Sequence, residues 1–274
     1  MEERNLTAER IGRFSEELLR EERAAGTIAQ YRRDVTGFMH WLKGRTVDKG
    51  TGAAWKEHLL RSGLAPSTVN AKLSALNSLF RFLGWEECRV KFLKLQRRVF
   101  RDRNRELSRA EYGRLVAAAG ESGQERLGLL LETICATGIR VSEVRYITVE
   151  TVRLGRADVA LKGKIRTLLL PGKLRRKLLK FARKQNTASG EIFVTKSGKG
   201  LSRRQIWREM KHLCKRAGVA PSKVFPHNLR HLFATVFYRS CRDLVKLADI
   251  LGHSSVQSTG EEHIRQLDRL GLIT

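Results

Sequence analysis

Over the first hundred or so residues, apolar side chains recur at three- and four-residue intervals and never alternate as in a strand. This pattern predicts an all-helical N-terminal unit. A first helix, Thr7 to Glu22, repeats Ile11, Phe14, Leu18 and Leu19. A second begins near Thr27 with Ile28, Tyr31, Val35, Phe38, Trp41 and Leu42, and Trp55, Leu59 and Leu60 mark a third that ends at Ser62-Gly63. Pro66-Ser67-Thr68 opens a fourth, because proline at the first helical position gives up an amide that has no partner there. Its apolar side is Val69, Leu73, Leu76, Leu79, Phe80 and Leu83, and the four stripes close on one another as a small bundle. Asn70, Lys72, Asn77 and Arg81 are left facing elsewhere on that helix.

Between Arg89 and Arg105 eight basic residues stand against the single acid Asp102, and apolar periodicity stops after Phe100. Residues 89–106 are therefore expected to be a basic linker between a domain at 1–88 and a second at 107–274. The second domain opens at Leu107 with Ser108 as helix cap and Glu111 three residues on, a capping box. Leu127 to Cys135 is a core helix ended at Gly138, and Val141, Val144 and Ile147 point inward beyond it. The period then shortens. Val152–Leu154, Val159–Leu161 and Arg166–Leu170 predict short strands of a small antiparallel sheet, with turns at Gly155 and Lys162-Gly163-Lys164, and Ile192–Val194 is a further extended piece. Helix returns from Lys173.

The charge narrows the partner. The chain of 274 residues carries 54 Lys+Arg against 28 Asp+Glu, a net +26, and from Leu161 to Arg216 there are 18 basic residues and two acids. No structural core needs that bias; a polyanion does. No run approaches the roughly 18 apolar residues of a spanning helix, and Met1-Glu2-Glu3-Arg4 lacks the apolar run of a secretory signal. A soluble cytoplasmic protein without a membrane partner is expected. Cys88, Cys135, Cys214 and Cys241 are scattered without CxxC pairing, as reduced thiols are. His227 and His231, one turn apart with Arg230 between them and no carboxylate or thiol beside them, do not make a zinc site, so no metal is expected.

Breaking a phosphodiester without metal takes fixed positive donors around phosphorus, a proton for the leaving 5′ oxygen and an aligned nucleophile. Arginine suits the first task because its planar guanidinium makes two parallel hydrogen bonds to phosphate and stays charged. Three stretches supply such groups: Thr137-Gly138-Ile139-Arg140-Val141-Ser142-Glu143, His227-Asn228-Leu229-Arg230-His231 and Leu251-Gly252-His253-Ser254. With the Lys162-Gly163 turn they resemble the boxes of tyrosine recombinases of the phage-integrase type, and the N-terminal bundle resembles that family's core-binding domain. The second arginine and second histidine are 253 − 230 = 23 residues apart, close to the family spacing.

The resemblance implies a mainly α fold with a small antiparallel β-sheet in the C-terminal domain. It also implies a two-domain C-shaped DNA clamp, a helical-bundle core-binding domain joined to an α+β catalytic domain. Arg140 and Arg230 would clamp the phosphate, His227 and His253 would donate hydrogen bonds or shuttle protons, Lys162 would protonate the leaving 5′ hydroxyl, and Glu143 would hold Arg140. No cofactor is implied. The nucleophilic tyrosine nine residues past the second histidine is absent: 253 + 9 = 262, and Glu262 stands there. Ser258-Thr259-Gly260 comes abruptly, as though a segment bearing the tyrosine were lost. The chain is expected to bind DNA and not cleave it.

The implied partners are double-stranded DNA and further copies of the chain, dimer to tetramer in a synapse, joined by a C-terminal helix from about residue 263. The resemblance also allows accessory DNA-bending proteins and a nucleoid location. The alternative to docking on a neighbour is packing of that helix on its own domain. Arg97, Arg98, Arg101 and Arg103 are expected to contact phosphates, and Asn70, Lys72, Asn77 and Arg81 to meet DNA if their helix enters the major groove. Two other functions stay open: a non-catalytic DNA-binding or regulatory protein derived from a recombinase, and an RNA-binding protein, which leaves the arginine and histidine pairs unexplained.

Overall fold

The computed structural model describes residues 4–95, 105–161, 164–251 and 272. The chain divides into two compact units, Met1–Val99 and Phe100–Thr274.

The first unit is the expected bundle: α1 (Ala8–Arg20), α2 (Ala25–Leu42), α3 (Thr51–Arg61) and α4 (Pro66–Phe82). The Thr7 side chain caps α1 by accepting from the amide of Arg10, and Pro66 opens α4. Phe14, Phe38, Leu73, Leu76, Leu79 and Phe80 are fully buried between the helices. Leu19, read as part of the packing face, is 67% exposed. Leu18 fills the inward position, and a neighbour in sequence is turned about 100° away around the helix.

Two of the polar residues on α4 bond to main chain of their own unit. The Asn77 amide donates to the carbonyl of Val90 and accepts from its N–H, both at 2.9 Å, and Asn70 does the same with Leu93 at 2.9 and 2.8 Å. Seven residues of helix and three of extended chain both span about 10 Å, so the two asparagines match the main chain of residues 90–93 as rungs of a ladder. Asn77 is buried and Lys72 pairs at 2.9 Å with the buried carboxylate of Asp34, whereas Arg81 is exposed. The stretch 89–95, expected to begin the linker, therefore lies along α4, with Val90 and Leu93 packed on the bundle core. Arg97, Arg98, Arg101 and Arg103 lie outside the described residues.

The second unit comprises α5 (Arg109–Glu121), α6 (Glu125–Thr137), a 3₁₀ turn Val141–Tyr146, α7 (Val149–Leu154), β1 (Arg156–Leu161), β2 (Lys164–Leu169), α8 (Gly172–Lys184), α9 (Arg203–Ala217), α10 (Pro226–Cys241) and α11 (Leu244–Leu251). The predicted capping box forms: Ser108 accepts from the Glu111 amide while Glu111 accepts from that of Ser108. Every residue of α6 from Leu127 to Thr137 is buried, with α5, α8 and α10 around it.

Two expected extended pieces are not strands. Val152-Arg153-Leu154 is the last turn of α7, because Thr148 caps it and Gly155, at φ 80°, ends it left-handed. Residues 192–194 form no strand; isolated bridges flank Ile192-Phe193, Thr148 with Glu191 and Val194 with Gly200. The sheet among the described residues is the antiparallel pair β1–β2, in register from Arg156↔Leu169 to Leu161↔Lys164. Lys162 and Gly163, between the strands, lie outside the described residues. Leu272 is buried in the core of its own unit, where its carbonyl accepts from the Tyr112 hydroxyl at 2.6 Å.

Candidate phosphate-binding site

Gly138 fixes the centre of the site. It ends α6 at φ 63°, where a side chain would be strained, and an added Cβ would lie 2.5 Å from Phe233 and 3.0 Å from Leu251. Only glycine lets α6, α10 and α11 meet here. The turn leaves the Gly138 carbonyl free of the helix ladder, and Arg230 of α10 takes it with Nη1 while Nη2 donates to the Leu251 carbonyl at 2.7 Å. Arg230 is 9% exposed, its guanidinium set by two main-chain acceptors.

Arg140 follows the turn. Its N–H donates to Oε2 of Glu143 at 2.7 Å and its Nη1 to Oε1 at 2.9 Å, so one carboxylate holds both ends of the residue. The Glu143 side chain is 1% exposed and that of Arg140 is 35% exposed, which leaves the arginine open on one side. A third cation was not anticipated: Arg166 of β2 also pairs through Nη2 with Glu143 and donates from Nη1 to the Ile250 carbonyl at 2.6 Å. A signal for it existed. Arg166, Leu168 and Leu170 share one strand face, and since Leu168 and Leu170 are core, Arg166 had to point inward with a partner.

The electrostatics follow from this sharing. Burial alone would raise the Glu143 carboxyl, but the Arg140 amide, the charge of Arg166 and the guanidinium hydrogen bonds outweigh it and hold the group below its ordinary range. Burial pushes Arg230 down, and the charges of Arg140 and Arg166 push the same way against the partial offset of Glu143, to about 10. Burial likewise lowers Arg166, with Arg140 adding to it. Three guanidiniums and one carboxylate leave an excess of 3 − 1 = +2 charges.

His227, the second residue of α10, is exposed and lies one helical turn before Arg230. His253, Glu262, Lys162 and the segment from residue 263 except Leu272 lie outside the described residues. Cys88, Cys135 and Cys214 are buried free thiols and Cys241 is partly buried. Among the described residues no group of three or more His, Cys, Asp or Glu could hold a metal, and no helix is long and apolar enough to cross a membrane.

The helical bundle and the second unit, in which Arg140 and Arg166 pair with Glu143 beside Arg230, each match a known family. The phage integrase family model matches residues 105–268, and the model of the phage integrase N-terminal SAM-like domain matches residues 11–87. The chain is 31% identical to tyrosine recombinase XerD of Brucella suis biovar 1, covering 89% of this chain and 88% of the relative. It is 26% identical to tyrosine recombinase XerA of Pyrococcus furiosus, covering 94% and 90%. Its fold is similar to lambda integrase (75-356) in a dimer bound to a COC′ core site, with TM-score 0.73, 17% identity and coverage of 96% and 95%. It is also similar to XerH site-specific recombinase bound to difH substrate, with TM-score 0.66, 18% identity and coverage of 97% and 88%. The chain belongs to the phage integrase family of tyrosine recombinases.

Proposed function

We propose that this chain binds duplex DNA as a site-specific recombinase does, with one backbone phosphate against Arg140 and Arg230. The observation that carries this reading is the charge count at Glu143. Arg140 and Arg166 pair with the one buried carboxylate, Arg230 adds a third guanidinium near enough to feel both of their charges, and a phosphate supplies the missing anion while relieving the repulsion among them. Each terminal nitrogen of Arg230 bears two hydrogens, so the bonds to Gly138 and Leu251 hold the group in place and still leave donors for phosphate oxygens. Arg140 is the cation open to solvent. His227 and His253 donate to the non-bridging oxygens.

In a recombinase of this family a tyrosine phenolate forms a bond to phosphorus, the bond to the 5′ oxygen breaks, and a general acid, here Lys162, protonates that oxygen. The energy of the phosphodiester is kept in the 3′-phosphotyrosine, and the reverse attack by another 5′ hydroxyl completes exchange through a Holliday junction. With Glu262 nine residues after His253, this chain holds the phosphate without a nucleophile, and a carboxylate there would only repel it. Likeness to lambda integrase, seen as a dimer on a core site and as a tetramer on a Holliday junction, supports assembly of several copies on DNA. Glu262 also favours a second reading, in which the chain is a non-catalytic DNA-binding or regulatory derivative.

Selection of bound fragments from a random duplex pool supplies the target. The protein is expected to prefer that duplex over structured RNA, with affinity falling steeply with salt. Glu262→Tyr, alone or with the flanking segment of the Brucella relative, is then mixed with a nicked form of that duplex. A covalent protein–DNA adduct that survives denaturant supports recombinase descent, and tight binding without adduct supports the regulatory reading. Equal or better affinity for structured RNA would overturn both.

A further inference from the structure

Arg166 enters the charge count above but is given no contact with the phosphate, yet it touches the two pieces of main chain and side chain that define the site. Its Nη2 pairs with Glu143, whose other oxygen holds Arg140, and its Nη1 donates to the Ile250 carbonyl, one residue before the Leu251 carbonyl that Arg230 holds. Ile250 and Leu251 are the last described residues of α11. Two guanidiniums from different elements thus grip consecutive carbonyls of one helix. The Arg166 side chain is 11% exposed, and its Nε is buried with no partner among the described residues. A buried arginine with a donor left unused is costly to keep for packing alone.

We propose that Arg166 is a positioning residue: it holds Glu143 and the end of α11 in one frame, so that Arg140 and Arg230 present their free donors to the same phosphate. The inference rests on the phosphate-clamp reading. By taking a share of the Glu143 carboxylate, Arg166 keeps Arg140 from being neutralised by a one-to-one pair, and its fork fixes the distance from β2 to α11. A lysine offers the same charge as a single point and cannot hold a carboxylate and a carbonyl in one rigid plane.

The test uses inorganic sulfate as the probe at constant ionic strength, followed through the guanidinium N–H resonances of Arg140 and Arg230, assigned with Arg140→Lys and Arg230→Lys. Those signals report this site and not the rest of the basic surface. Arg166→Met is expected to weaken sulfate binding about tenfold, the low end of what outer-shell partners of metal ligands contribute. Arg166→Lys is expected to stay within about threefold of the Met variant, with the Arg140 resonance broadened in both. Recovery of wild-type affinity by Arg166→Lys would show a pure charge effect and overturn the proposal, as would unchanged binding in Arg166→Met. Thermal melting checks folding, and if Arg166→Met does not fold, the lysine variant decides alone. A wild-type protein whose Arg140 and Arg230 signals do not respond to sulfate would defeat the clamp reading itself, an outcome distinct from either of these.

Discussion

The main-chain amide and the guanidinium of Arg140 donate to the two oxygens of Glu143, three residues on, at 2.7 and 2.9 Å. The residue that should meet a phosphate is thus oriented at both ends by one buried acid. Removing that acid leaves the guanidiniums of Arg140, Arg166 and Arg230 with no anion among them. Glu143→Gln is expected to destabilise the second unit by about 3–5 kcal/mol, the scale for breaking a buried ion pair from one side. Urea unfolding measures it, and sulfate should restore part of the loss in the variant.

Glu143 and Arg230 set opposite limits of pH. Because the folded-state pKa of Glu143 is depressed, its contribution is fully present above the ordinary carboxylate value of 4.5 and is lost as pH falls through the depressed one. The urea midpoint should fall on acidification below 4.5, and less so in Glu143→Gln. Arg230 is lowered to about 10, so sulfate binding should hold level from neutral pH upward and weaken as pH rises through that value. Low affinity already at neutral pH in Arg230→Gln, without that fall, would assign the anion to Arg230.

Gly138→Ala tests the meeting point of three helices. Its Cβ would stand 2.5 Å from Phe233 on a left-handed backbone. Strain and overpacking together should cost about 2–4 kcal/mol. Sulfate affinity should fall as well, because the carbonyl that orients Arg230 moves.

Asn77→Leu separates structure from recognition. It removes both hydrogen bonds to Val90 while keeping the volume, and is expected to cost about 1–3 kcal/mol and to speed hydrogen exchange at the Val90 amide. The ranking of selected duplexes should stay the same. A changed base preference would return Asn77 to the DNA interface.

Arg81, exposed on α4, and Arg97, Arg98, Arg101 and Arg103 in the basic run are tested by single replacement with alanine. A phosphate contact should be lost as a weakening equal across sequences, with the salt slope shallower by about one unit. Loss confined to one base pair would assign that arginine to base reading.

The periodicity of Phe14, Phe38, Leu76 and Phe80 determined the helical bundle by itself, since apolar spacing settles which face of a helix is buried whatever it packs on. The capping box at Ser108 and Glu111, the stop at Gly138 and the boxes around Arg140 and Arg230 were equally local and equally legible. Val152–Leu154 misled because a one-turn helix and a short strand bear the same apolar spacing, and the cap at Thr148 with the left-handed Gly155 decided between them. The sharing of Glu143 by Arg166, the hold of Arg230 on Gly138 and Leu251, and the use of Asn70 and Asn77 on the main chain of 90–93 were decided by the tertiary structure alone. Side-chain type tells what a group can bond to. Which acceptor comes within reach across 23 or 92 residues depends on how helices and strands pack.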